Sequence, residues 1–129
     1  MSGLSGLELR KAACEALGWA IVQQLDYATL QGPDYLVKSK IFGPAHHRLN
    51  IKYLVNIMPA IESNPEVSEP MFVEWCEKND YGFDLFTDGG GFLMLIFTRQ
   101  YPAKRIGEPV SAETPSEARA RAIVAARDK

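Results

Sequence analysis

The sequence predicts an α+β fold: one layered domain over residues 1–129, with an antiparallel sheet, a central hairpin at 81–99 and helices packed on it. Helix-start signals near both ends and near residue 70 are followed by apolar residues three and four apart. Two β-prone runs, "FDLFT" and "FLMLIFTR", flank glycines 89–91. The composition, 47% hydrophobic and 23% charged over 129 residues, is that of a globular chain able to bury a core.

"SGLELRKAACEALGW" (5–19) opens with a capping box, in which Ser5 accepts from the Glu8 amide and Glu8 reaches back. Leu7, Cys14 and Leu17 share a face that Leu9, Ala13 and Ala16 widen. Gly18 is placed for a left-handed cap, and Trp19 for a return onto the core. "DYLVKSKIF" (34–42) and "LNIKYLVNIM" (49–58) read as two strands on either side of a Gly43-Pro44 turn. "PAIESNPEV" (59–67), with two prolines, reads as a loop.

"SEPMFVEWCEKND" (68–80) reads as a second helix, capped by Ser68 with Pro70 in its first turn. Phe72, Trp75, Cys76 and Asn79 fall on one side of it. The run "FLMLIFTR" is apolar on both faces, as in a central strand covered on both sides. A phosphate-binding glycine loop leads from strand into helix, whereas glycines 89–91 lead into a strand and match neither GxxxxGK[ST] nor GxGxxG. They turn a hairpin, for which Asp88 before glycine is a strong signal.

The last helix starts at Pro115, with Thr114 as cap and Glu117 completing a second capping box. Ala118, Ala122, Ala125 and Ala126 allow its backbone close to a sheet, while Arg119, Arg121 and Arg127 are solvated. The expected core holds Leu7, Leu17, Trp19, Phe72, Trp75, Leu93, Leu95, Phe97, Ala118 and Ala122.

A capped helix ending in Gly-Trp, a Trp-bearing helix, a hairpin and a Thr-Pro helix follow in that order. This arrangement resembles the phage ABA sandwich domain of small phage and prophage proteins. The matching pieces are "LELRKAACEALGW" (7–19), "PMFVEWCEKN" (70–79) and "AETPSEARARAIVAA" (112–126), under a third of the chain. The resemblance implies a phage or prophage origin and helices covering a sheet. The family has no established activity, so no functional residues carry over.

Charge is unevenly spread. From Lys38 to Lys52 lie Lys38, Lys40, Arg48 and Lys52, with His46 and His47 and no acid. From Glu62 to Asp88 lie Glu62, Glu66, Glu69, Glu74, Glu77, Asp80, Asp84 and Asp88 against Lys78 alone. Such runs are usually solvated faces; the sharper reading is a basic patch for an anionic ligand and an acidic surface for a partner or second subunit. The ligand-binding candidates are therefore Lys38, Lys40, His46, His47, Arg48 and Lys52, which converge if the two strands pair with their basic faces aligned.

Cys14 and Cys76 lie on apolar helix faces and read as buried, unpaired thiols. No nucleophile turn, metal signature or cofactor motif is present, so neither catalysis nor a cofactor is expected. A net charge of −2 argues against general nucleic-acid binding, and no apolar run is long enough for a bilayer span. "MSGLSGLELRK" lacks the apolar core of a signal peptide, which points to the host cytoplasm.

The functional expectation is a non-catalytic phage accessory protein that acts by binding. Its main form is an inhibitor or modulator of a host protein through the acidic face. The alternative is an anti-defence sponge for a small anionic nucleotide-derived ligand in the basic stretch. A small enzyme without a recognisable motif is the second alternative, and a homo-oligomer is open to any of them.

Overall fold

The computed structural model describes Leu4 and residues 6–23, 27–32, 36–42 and 54–127. Its elements in chain order are α1 (Gly6–Ala16), β1 (Ala20–Gln23), β2 (Tyr27–Gln31), β3 (Leu36–Phe42), α2 (Pro65–Asn79), β4 (Tyr81–Asp88), β5 (Gly91–Thr98), β6 (Val110–Ala112) and α3 (Pro115–Arg127). The fold is α+β. Its strands form two antiparallel sheets, ordered β1-β2-β3 and β4-β5-β6.

Helix α3 is where the layers meet: α1, α2, β5 and β6 all pack on it. Ala118, Ala120 and Ala122 are buried beside Ile123 and Val124, and their small side chains permit that close approach on several sides. Thr114 caps the helix, its Oγ1 accepting from the Glu117 N–H at 3.2 Å. The reciprocal half of the expected capping box does not form, because the Glu117 carboxylate takes Arg121 at 2.9 Å.

α1 buries Leu9, Ala12, Ala13 and Cys14, with Leu7 and Leu17 only partly covered at its margin. It ends at Gly18, whose φ of 103° suits glycine, and Trp19 then folds into the core. Ser5, the cap expected for this helix, lies outside the described residues.

α2 starts earlier than expected. Asn64, not Ser68, is its cap, accepting through its side chain from the Glu66 N–H at 3.0 Å, and Pro65 takes the first position. The "NPE" that reads as loop punctuation is thus a helix start. Pro70 lies inside the helix rather than in its first turn. Ser68 is buried, and donates through Oγ to Ser116 Oγ on α3 at 3.0 Å.

Residues 54–56, expected in a strand, are helical. Leu54, Val55, Met58 and Ile61 are buried at helical spacing, the period that won over β-propensity. Residues 20–31, for which the sequence suggested no element, supply β1 and β2. Leu30 on β2 is fully buried and belongs to the same core cluster as Leu9, Phe72, Met94 and Ile123.

The expected hairpin is present, with Asp88 opposite Gly91 and a register that runs to Tyr81 opposite Thr98. Gly89 and Gly90 have φ of 58° and 91°, the positive values a two-residue hairpin loop requires. β5 is the central strand of its sheet, but one face alone is fully buried. Met94 and Ile96 point into the core, whereas Leu93, Leu95 and Phe97, expected there, are half-buried on the opposite face. Helix α3 covers the Met94 face, and no described helix covers the other.

Candidate functional site

Lys38 and Lys40 lie on β3; His46, His47, Arg48 and Lys52 lie outside the described residues. The six were to converge through pairing of 34–42 with 49–58. β3 pairs with β2 on one edge, residues 54–56 are helical, and residues 49–53 lie outside the described residues. That route to convergence has no basis among the described residues.

The acidic run divides into two parts. Glu62 turns inward, where its carboxylate takes two hydrogen bonds from the Arg10 guanidinium, at 2.8 and 3.1 Å. Arg10 also donates to the Asn56 carbonyl at 3.1 Å, tying α1 to the 54–63 segment. The two side chains are 14% and 10% exposed for Arg10 and Glu62. Burial pushes the Glu62 carboxyl upward, but the hydrogen bonds and charge of Arg10, with help from a backbone N–H and Ser63, outweigh it and leave the pKa lowered. Glu62 is a structural ion-pair partner and not part of an acidic face.

The remaining acids face solvent. Glu74 pairs with Lys78 at 3.2 Å in an exposed contact. Glu66, Glu69, Glu77, Asp80, Asp84 and Asp88 are exposed and have no ion-pair partner among the described residues. Glu66, Glu69, Val73 and Glu77 recur every three or four residues along the outward side of α2. Asp80, in the left-handed conformation at φ 58°, then turns the chain directly into β4.

β4 is the outer strand of its sheet. The Arg99 N–H donates to the Asp80 carbonyl at 3.1 Å, which fixes the phase of the ladder. On the far side of β5, Thr98 N–H donates to Lys104 and Ile106 N–H to the Ile96 carbonyl, both at 2.8 Å, in the same phase. Antiparallel pairing alternates, so Gly82, Asp84, Phe86 and Asp88 bond to β5. Tyr81, Phe83, Leu85 and Thr87 then direct N–H and C=O away from the sheet, and no described backbone group takes them up.

Side chains along this edge are unusual for one left to water. Phe83 is 38% exposed although its ring meets Phe72 edge-on at 4.9 Å, and Phe86 is 43% exposed. On the face away from α3, register places Phe86 beside Leu93, Asp84 beside Leu95 and Gly82 beside Phe97. An apolar strip with aspartates at its rim results. The alternation Asp84-Phe86-Asp88 was readable in the sequence, but nothing there says which face α3 leaves bare.

Other reactive groups are withdrawn from solvent. Burial pushes the Cys14 thiol up to about 12 and the Cys76 thiol up to about 11. Cys14 donates to the Pro59 carbonyl at 3.5 Å, and both thiols are free and buried, as expected. Ser68 accepts from Arg119 at 2.8 Å while donating to Ser116, a buried tie between two helices. No group of three or more His, Cys, Asp or Glu among the described residues is arranged to hold a metal ion. No helix of the described residues is long and apolar enough to cross a membrane. The chain matches no family model, no curated protein and no solved structure.

Proposed function

We propose that this protein acts by binding, as a non-catalytic accessory protein that engages a basic surface of a host protein and so inhibits or modulates it. One observation carries the reading: six exposed acids without ion-pair partners among the described residues run along α2 and β4. A field of one sign steers an oppositely charged partner and rejects others. The resemblance to the phage ABA sandwich supplies the setting, a phage or prophage product acting on its host.

The test is capture of host proteins by the wild type and by a Glu66→Lys/Glu69→Lys/Glu77→Lys variant, with melting temperature as a check on folding. A partner retained at low salt, released at high salt and lost by the variant is the expected result. A partner held equally by both would remove the acidic face from the function. A thermal shift with a nucleotide-derived anion, lost on Arg48→Ala, would move the function to the basic stretch.

A further inference from the structure

We infer that β4 is a docking edge for a basic, extended segment of the partner, which adds to the sheet as a fourth strand. This rests on the binding reading above and specifies its mode. The carrying observation is a ladder left open among the described residues: Tyr81, Phe83, Leu85 and Thr87 direct backbone donors and acceptors outward along one line. Such a row is a template for an incoming strand, whose main chain supplies affinity and whose alternate side chains supply specificity.

Natural edges are commonly blunted by shortness, proline, a bulge or lysine. β4 has none of these: it runs eight residues in unbroken register with β5 and contains neither proline nor lysine. What it does carry is Asp84 and Asp88, with Phe86 between them on the same face. These select the occupant. A strand lying antiparallel to β4 would place its residues opposite Asp88, Phe86 and Asp84 on one face. Lysine or arginine at the first and third of those positions, with an apolar residue between, matches all three. On the other face an apolar residue would lie beside Phe83, whose ring is left partly open by Phe72.

A second copy of the chain fits worse. Two β4 strands would bring four aspartates, Asp84 and Asp88 of each copy, to one face of the seam, and like charges across a strand pair are destabilising. The same aspartates that discourage self-pairing admit a basic strand.

The probe is a fluorescein-labelled peptide, Lys-Thr-Val-Val-Lys-Ile-Tyr-Thr, matched to the eight residues of β4. Two N-methylated versions have the same charge. One is methylated at the residues opposite Thr87, Leu85 and Phe83, the other at those opposite Phe86, Asp84 and Gly82. Affinity is read by fluorescence anisotropy on the full chain. The expected result is binding that the first methylated set weakens at least about tenfold and the second leaves unchanged, because only the first removes donors aimed at β4. Asp84→Asn/Asp88→Asn, two exposed changes that keep side-chain shape, should weaken the probe about tenfold as well. Equal binding of both methylated peptides would overturn strand addition while leaving charge-driven binding in place. No binding of the probe by a protein that forms a dimer in sedimentation, with the dimer lost on Phe86→Lys, would assign the edge to a second copy and overturn the proposal. Failure of the α2 charge reversal to release a host partner would strike the functional reading by itself, whatever the peptide does.

Discussion

The Phe97 ring lies across Gly82 on the neighbouring strand, so close that a Cβ at 82 would come within 2.5 Å of its Cε2 atom. An aromatic side chain covering a cross-strand glycine shields backbone that glycine leaves bare. Gly82→Ala should therefore destabilise the protein by about 1 kcal/mol, the low end for overpacking, since the ring is half-buried and has room to swing. In a Phe97→Ala background the same change should cost almost nothing. Chemical denaturation of the four proteins checks this, and additive effects would mean the two residues do not touch.

The hairpin loop offers a separate test. Nothing lies within 4 Å of a Cβ built on Gly90, so its positive φ is the whole constraint. Gly90→Ala should lower stability by about 1 kcal/mol and Gly90→Asn by less, because asparagine tolerates the left-handed region. Peptide binding at β4 should be the same in both variants once each is fully folded. A loss of binding at unchanged stability would revive a ligand role for the glycines.

The Arg10–Glu62 pair sets a pH dependence. The Glu62 carboxyl titrates below its ordinary value of 4.5 in the folded protein, so the folded state binds fewer protons there than the unfolded chain. Its contribution is complete above that ordinary value and is lost as pH falls through the lower folded one. Glu62→Gln should cost about 2 kcal/mol at neutral pH, in the range for hydrogen bonds to a charged group. The gap between variant and wild type should narrow as pH falls below 4.5 and close once it has passed through the lower folded value. Urea denaturation across this range measures it, and a constant gap would exclude the ion pair as its cause.

Both thiols should resist modification. With Cys14 pushed to about 12 and Cys76 to about 11, neither forms appreciable thiolate at pH 8, and both are buried. Iodoacetamide should label the native protein slowly and the urea-unfolded protein rapidly at both positions. Fast native labelling of Cys76 alone would show that α2 opens locally.

The elements legible in the sequence are those with local signals. Thr114-Pro115, the glycines after Asp88 and the Gly18-Trp19 ending each act within a few residues, and each is found where expected. The misreadings come from signals that tertiary structure decides. "LVNIM" is apolar enough for either period, and residues 54–56 are helical, with Leu54, Val55 and Met58 buried. β5 is apolar at every position from Phe92 to Phe97, so its parity follows from where α3 lands and not from its own residues. The site shares this division. The sign of the charge could be read directly, but Glu62 is withdrawn by an arginine 52 residues away, and the edge of β4 left bare among the described residues is known only once the strand order is.

The position of α3 at the meeting of the layers has a consequence for biosynthesis. Every element it packs against precedes it in the chain. A nascent polypeptide that has emerged only as far as residue 114 carries α1, α2 and the hairpin with their shared apolar surface unfilled. Final assembly of these elements therefore waits until α3 has followed them out. A chaperone holding the chain has its natural release point when Ala118, Ala122 and Ile123 emerge and fill the vacancy.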